Sequence, residues 1–293
     1  MTTFAILSPG DMGAAVARRL SAAGERVVTS GHGRSSRTLE AAAAAGIQVV
    51  PALSDVVREA EVVLCLVPQE AALDVAREVA SASRTEGARL LYVDANSLSP
   101  ATMREIVGVL EGSGCDCVDG AFIGNAASLD EKTALYLSGP RAGEAAGVLG
   151  DALAVRLLGD EVGVASALKL SVYGFNKGLV ALFLEMTVAA DCLGLRQELT
   201  DCLRSFYPGS VATVERLLPT YPRHARRRVS EMSEVVEWLD EIGQSADMAA
   251  ATRAVIGQVA SLGLPDRDGW DAESLVADMC RRGLLRGGDA PAP

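Results

Sequence analysis

The stretch Thr3-Phe4-Ala5-Ile6-Leu7-Ser8-Pro9-Gly10-Asp11-Met12-Gly13 decides how the rest of the chain is read. Its first five residues carry no charge and are mostly apolar, the composition of a strand buried on both faces. A glycine turn follows, and then Ala14-Ala15-Val16-Ala17-Arg18-Arg19-Leu20 has the spacing of an amphipathic helix. Strand, glycine turn and helix form the context in which a G-x-G-x-x-G pattern acts on a pyrophosphate. Gly10 allows the backbone to approach it, Gly13 lets the helix pack on the strand, and the first helical N–H groups face the phosphates. Ser8 stands where the pattern has its first glycine, and an ordinary tight turn opening a βα unit is the competing reading. Ser8, Pro9, Gly10, Asp11, Met12 and Gly13 are the first candidate cofactor-binding residues, with Asp11 as an N-terminal helix charge favoured by the dipole.

Outward from that turn, Arg26 to Ser30 reads as the second strand. A dinucleotide site for NAD carries a carboxylate at this strand's end for the ribose 2′-hydroxyl. The chain reads Ser30-Gly31-His32-Gly33-Arg34-Ser35-Ser36-Arg37 instead, and its next acid is Glu40. Arginine forks bind a 2′-phosphate, whereas a carboxylate would repel it. Ser30, His32, Arg34, Ser35 and Arg37 are therefore expected to bind NADP (NADPH). The alternative is that Arg34 and Arg37 are solvated, with Ser35 or Ser36 capping the next helix.

The alternation continues with strands at Ile47–Val50, Val62–Val67, Leu90–Asp94 and Cys115–Asp119. Helical segments lie at 54–58, 69–83 and 100–113, and further strands at 133–138 and 155–158. This pattern predicts a doubly wound, Rossmann-type α/β domain with a parallel sheet over residues 1–160. Ligands in such sheets lie beyond the strand C-terminal ends, a rim made here by Ser8, Ser30, Val67-Pro68, Asn96-Ser97 and Gly120 to Asn125. From Glu161 to about Leu193 only isolated glycines interrupt one long helical pattern, and helices at 230–242 and 247–262 follow without a strand. An all-helical domain over 161–286 is expected, with 287–293 a disordered tail.

Composition narrows the function. The 293 residues are 49% hydrophobic, and 27 basic against 38 acidic side chains give a net charge of −11, which argues against nucleic acid or an anionic membrane as partner. Thr3 follows Met1-Thr2 directly into a strand, without space for a signal peptide. The longest apolar run, Gly178 to Ala190, is interrupted by Glu185 and falls short of a bilayer span. Six cysteines without metal-type spacing and two distant histidines indicate neither a metal site nor a Ser-His-Asp triad. A cytoplasmic protein acting on a small molecule is expected.

Four blocks carry a family resemblance: Ser8 to Gly13, Leu66-Val67-Pro68, Asp94-Ala95-Asn96-Ser97 with Pro100, and Asp119 to Asn125. A fifth is Gly163 to Lys169, and the spacing between blocks agrees as well. Over residues 1–190 the chain resembles the β-hydroxyacid dehydrogenase superfamily, which includes 3-hydroxyisobutyrate and 6-phosphogluconate dehydrogenases, in a branch with a distinct helical C-terminal domain. The resemblance implies Val67, Pro68 and Asn96 at the cofactor, and Ser97, Ile123, Gly124, Asn125, Lys169, Tyr173 and Asn176 at the substrate. Lys169 is then the catalytic proton donor or acceptor. The family's Ser-Gly-Gly element reads Ile123-Gly124-Asn125 here, and its Asn four residues past the lysine is Tyr173, so Asn125, Tyr173 and Asn176 stand in for the usual carboxylate anchors.

Helix spacing gives Lys169 an argument of its own. Tyr173, Asn176 and Lys177 follow at i+4, i+7 and i+8, a polar stripe on an otherwise apolar helix. A lysine in apolar surroundings has its charged form disfavoured, which suits proton transfer near neutral pH. Tyr173 is expected to orient the substrate or the ammonium, and Lys177 to stand behind the reacting groups or at their rim; the arginines from Arg223 to Arg228 are read as a solvated helix end, the alternative being that they bind an anionic substrate from a partner subunit. The apolar second half of the long helix needs cover on several sides and predicts a homodimer. The expected activity is NADP-dependent hydride transfer at a carbonyl or hydroxyl carbon of a small anionic substrate in an interdomain cleft. The alternatives are imine reduction, or an NADP(H)-binding protein without turnover.

Overall fold

The computed structural model describes residues 1–129, 133–266 and 269–285; the tail from 287 lies outside the described residues, as does the side chain of Arg37. By its contacts the chain divides into Met1–Lys169 and a second unit from Leu170 onwards.

The first unit alternates strand and helix: β1 Thr3–Leu7, α1 Asp11–Ala22, β2 Arg26–Ser30, α2 Ser36–Ala44, β3 Gln48–Val50, α3 Leu53–Glu59, β4 Val62–Cys65, α4 Ala72–Glu86, β5 Leu90–Asp94, α5 Pro100–Leu110, β6 Cys115–Ile123, β7 Ala134–Ser138, α6 Ala142–Leu149 and β8 Val155–Leu157. The strands form one sheet in the order β3-β2-β1-β4-β5-β6-β7-β8. Its centre is β1, β4 and β5, whose side chains are buried on both faces apart from half-buried Thr3 at the start of β1. Alternate residues feed two cores: Phe4 and Ile6 pack with α1 and α6, while Ala5 and Leu7 pack with α3 and α4. The edge strands β3 and β8 have three residues each.

The expected parallel order fails at one place. β7 pairs with β6 antiparallel, Asp119 opposite Ser138 and Ile123 opposite Ala134. The connection between them is too short for a crossover helix, which takes a dozen or more residues, so the chain turns back on itself. β6 also continues to Ile123, so that Gly120 to Ile123, expected on the rim, are strand, and only Gly124 and Asn125 follow its end.

The second unit is helical: α8 Arg196–Phe206, α9 Pro208–Leu217, α10 Tyr221–Glu241, α11 Asp247–Ser261 and α12 Ala272–Arg281. α10 begins a full nine residues before the expected 230, because Pro222 sits in its first turn, where proline's missing N–H costs nothing. Val180, Leu184, Tyr221, Met232, Val235 and Ile256 are among the residues of its core. The long helix α7, Val164–Asp191, starts in the first unit and runs into the second. An 18-residue window of this 28-residue helix reaches a mean hydropathy of 1.2, long and apolar enough to cross a membrane by length and composition only, as the core helix of a soluble protein also can be. Its sequence nonetheless places Lys169 and Lys177 on a buried face.

One carboxylate sets where α7 begins. Asp119, fully buried on β6, accepts from Gly163 N at 2.9 Å, Ser166 N at 3.0 Å, Ser166 Oγ at 2.7 Å and Ser138 Oγ at 3.0 Å. Ser138 Oγ in turn accepts from Ala165 N at 3.0 Å. The orphan N–H groups of the first turn are thus satisfied from the sheet rather than by a local cap. Gly163 has φ +100, and a Cβ there would lie 3.0 Å from Pro100 Cβ, so the helix cannot extend upstream to Glu161 without strain. Asp119→Ala strands buried donors at β7 and α7 and is expected to cost about 3 kcal/mol or more, read as a lower urea midpoint at unchanged slope; an unchanged midpoint counts against this role.

Candidate functional site

The glycine turn has the form a phosphate needs. α1 starts at Asp11 with no side chain capping it, and a Cβ on Gly10 would meet nothing within 4 Å. A Cβ on Gly13 would lie 3.0 Å from Ile6 Cγ2, so that position is held to glycine by helix-on-strand packing. Ser8 takes the left-handed backbone itself, at φ +63, and its carbonyl accepts from Gly10 N at 2.8 Å. That conformation costs a non-glycine residue about 1–2 kcal/mol. Pro9 is buried, Met12 half-buried and Asp11 exposed at the helix start.

At the end of β2, Ser30 Oγ accepts from His32 N at 3.2 Å, and His32 itself is exposed. Ser35 is the N-cap of α2, accepting from Thr38 N at 3.2 Å. Arg34 Nε is buried and has no hydrogen-bond partner among the described residues. A buried guanidinium N–H left unfilled points to an anion, and with no side-chain cap on α1 this unit fits a phosphorylated dinucleotide.

The third strand end brings two predicted residues into contact. Lys169 Nζ donates to the Asn96 carbonyl at 3.1 Å, both residues being buried. Asn96 Nδ2 points to Cys65 Sγ at 3.4 Å, and Asn96 N donates to Asp94 Oδ1 at 3.0 Å. Ser97, half-buried, follows directly, and Val67 is buried with exposed Pro68 beyond it. Asp94 was not singled out for chemistry by sequence reasoning. It lies beside Asp119 in register, its Oδ2 has no partner among the described residues, and burial pushes its carboxyl up to about 7, against the hydrogen bonds from Asn96. A lone acid ending the apolar run Leu90-Leu91-Tyr92-Val93 was the available signal.

The residues after β6 are tied to one another. Thr133 Oγ1 donates to the Asn125 carbonyl at 2.8 Å and accepts from Asn125 N at 2.9 Å. Asn125 Oδ1 caps a turn of 3₁₀ helix through Ser128 N at 3.0 Å, and Ile123 is half-buried. Gly124 has φ +133, and a Cβ there would collide with Thr133. Asn125's carbonyl oxygen is therefore committed to structure.

Further along α7, in the second unit, Tyr173 and Asn176 are half-buried and Lys177 is buried. Lys177 is not a rim charge. Its Nζ lies 2.9 Å from Glu231 Oε2 and 3.8 Å from the centre of the Tyr173 ring. Burial lowers its pKa, opposed by Glu231. Of the arginine cluster in the first turns of α10, Arg223, Arg226 and Arg227 are exposed as expected, whereas Arg228 is buried over the Tyr221 ring at 4.0 Å. The inward position of Glu231 and Arg228 was missed, although their spacing from Tyr221 and Ala225 places them on the helix's inward face.

Two family models match parts of the chain: NADP oxidoreductase coenzyme F420-dependent over residues 3–95, and a domain of unknown function, DUF1932, over 190–259. An uncharacterized 28.5 kDa protein of Methanothermus fervidus, encoded in the 7S RNA 5′ region, is 28% identical over 215 residues, 73% of this chain and 81% of that protein. The conserved protein MTH1747, of unknown function and described as similar in structure to 3-hydroxyacid dehydrogenases, is 29% identical with a TM-score of 0.72, over 90% of this chain and 100% of its own. A 3-hydroxyisobutyrate dehydrogenase of Mycobacterium tuberculosis, determined with L-serine, shares the fold at 22% identity and a TM-score of 0.72, over 95% of this chain and 99% of its own.

Asp94 makes stability depend on pH in a defined direction. Below about pH 4 the carboxyl is protonated in both states; from there to about 7 the unfolded chain releases the proton while the folded chain keeps it, so stability falls. Asp94→Asn removes this loss. Its unfolding free energy relative to wild type should rise across that window by a few kcal/mol, at about 1.4 kcal/mol per pH unit, and stay level above it; a flat difference from pH 4 to 7 contradicts the assignment.

Proposed function

We propose that this chain, which resembles the 3-hydroxyacid dehydrogenases in fold and carries a helical C-terminal domain, is an NADP(H)-dependent oxidoreductase interconverting a hydroxyl and a carbonyl carbon of a small anionic substrate. The observation that carries the reading is Lys169, a buried ammonium held at 3.1 Å by the Asn96 carbonyl beyond the end of β5. The bound dinucleotide would supply or accept the hydride. The chain's part is to place it and to manage the proton.

The N-terminus of α1 with Gly10 and Ser8 would hold the pyrophosphate, and Arg34 the 2′-phosphate, supported by its unfilled Nε and by a loop without a carboxylate. Val67, Pro68 and Asn96 follow the C-terminal ends of β4 and β5, on the rim where the dinucleotide would lie. Reducing a carbonyl leaves negative charge on oxygen, which an ammonium stabilises and protonates; in reverse the amine accepts the proton. The Asn96 carbonyl accepts from Lys169 Nζ at 3.1 Å and so fixes where the side chain ends, beyond β5. Ser97, Gly124, Asn125, Tyr173 and Asn176 are the substrate-orienting residues of this reading.

Titrations and single-turnover rates test it together. Arg34→Ala should weaken NADPH binding about ten- to a hundredfold, the worth of a charge-assisted hydrogen bond, with NADH little changed. Lys169→Ala should lose about 10²–10⁴ in the transfer rate with a working β-hydroxyacid or aldehyde, while NADPH affinity holds. Equal wild-type affinities for the two nucleotides reject the cofactor assignment, and a Lys169→Ala enzyme of near-normal rate rejects the proton role.

Homodimerisation belongs to the same proposal. Phe175, Leu182 and Met186 are exposed along one face of α7, opposite its buried face, and an apolar stripe of this kind is a surface suited to a second copy. Light scattering should give twice the chain mass at micromolar concentration, and Leu182→Glu should give the monomer; a monomeric wild type sinks the proposal.

A further inference from the structure

The helical unit holds a group of buried charges that the proposed reaction leaves unused. α10 turns Tyr221, Ala225, Arg228, Glu231, Met232 and Val235 inward. Arg228 Nη2 donates to Thr220 Oγ1 at 2.6 Å, and its guanidinium lies over the Tyr221 ring. Nη1 of the same guanidinium is buried and has no partner among the described residues. Glu231 is already shared, accepting Lys177 at 2.9 Å and Arg227 at 3.3 Å.

The charges do not balance. Lys177 and Arg228 are buried cations and Glu231 is the one buried carboxylate among them, while Arg227 adds a third cation at the exposed rim. A buried excess cation is costly unless something neutralises it. The Tyr173 and Tyr221 faces offset part of that cost, but an aromatic face does not fill the in-plane donor at Nη1. An oxyanion would do both, since carboxylate and phosphate oxygens match the guanidinium fork. We propose that Arg228, with Lys177 as second cation and Glu231 holding that lysine in place, forms a binding subsite for the carboxylate or phosphate of a small anionic molecule. As the anchor of the substrate's anionic group it rests on the oxidoreductase reading; as an anion site it does not.

Calorimetric titration of the full-length protein tests it, with saturating NADP⁺ to fill the nucleotide's own phosphate contacts and ionic strength fixed with sodium chloride. The probes are inorganic phosphate, 3-hydroxypropionate and the neutral 1,3-propanediol. One saturable site per chain is expected for at least one of the anions, with the diol at least tenfold weaker. Phosphate binding alone assigns a phosphate ester, 3-hydroxypropionate alone a carboxylic acid. Arg228→Gln should weaken the anion at least tenfold, and Arg228→Lys, which keeps the charge without the fork, by less. If Arg228→Gln does not fold, the exposed-rim variant Arg227→Glu should still lower the affinity severalfold. No saturable binding, as when Nη1 is filled by an internal water, overturns the proposal, as does equal affinity in wild type and Arg228→Gln, or in wild type and Arg227→Glu. Turnover is not needed: whichever anion binds should bind the nucleotide-free protein too and still be weakened at least tenfold by Arg228→Gln, so a failure of the oxidoreductase reading, seen as no NADPH binding, is told apart from a failure of this one.

Discussion

The four hydrogen bonds accepted by Asp119 are the constraint on which the first unit's chemistry depends. They join β6, β7 and the first turn of α7 through one buried carboxylate. Hydrogen bonds to a charged group are worth about twice neutral ones, and here they also fix rotation about the helix axis, because Gly163 N, Ser166 N and Ser166 Oγ must all meet the same two oxygens. Lys169 follows Ser166 by three residues, close to one turn. Once Asp119 has set the phase of α7, Lys169 is turned to the Asn96 carbonyl without any further cap.

Asp94 and Asp119 stand side by side in register, yet their surroundings separate them. Asp119 is filled on both oxygens, whereas Asp94 has one oxygen bonded to Asn96 N and the other without a partner among the described residues. Burial then keeps Asp94 protonated to about 7. Two carboxyls side by side on neighbouring strands thus serve differently: one organises a helix, the other forms the turn that presents Asn96 and Ser97. Ser8 adds a further cost at the same face of the sheet, a left-handed backbone at a position that glycine would occupy freely.

Much of this was legible in the sequence because the first five strands are short apolar runs separated by helix-length segments, and local composition decides such elements. The turn at Gly10 to Gly13, the cap at Ser35 and the polar stripe that starts at Lys169 were readable for the same reason. What was not legible depends on distant partners. Composition alone cannot tell that β7 runs antiparallel; the short connection from Gly124 to Thr133 contained that information. Lys177 looked like a rim charge because its partner, Glu231, lies on another helix far along the chain. Arg228 looked solvated because it sits among exposed arginines, and only the phase set by Tyr221 and Ala225 turns it inward. The start of α10 was placed late because the signal lay in Pro222, a proline within the helix's first turn.

The two ends of the sheet bear on how copies of the chain meet. β3 and β8 are three residues long, and Arg156 places a charge within β8. An unpaired strand invites another chain to add to it, and a short, charged edge offers few backbone groups for that addition. With a net charge of −11 opposing casual contact as well, the sheet is protected from growing across molecules into a fibre-like stack. A homodimer as proposed would thereby have to form through side-chain surfaces on helices, where shape rather than backbone pairing selects the partner.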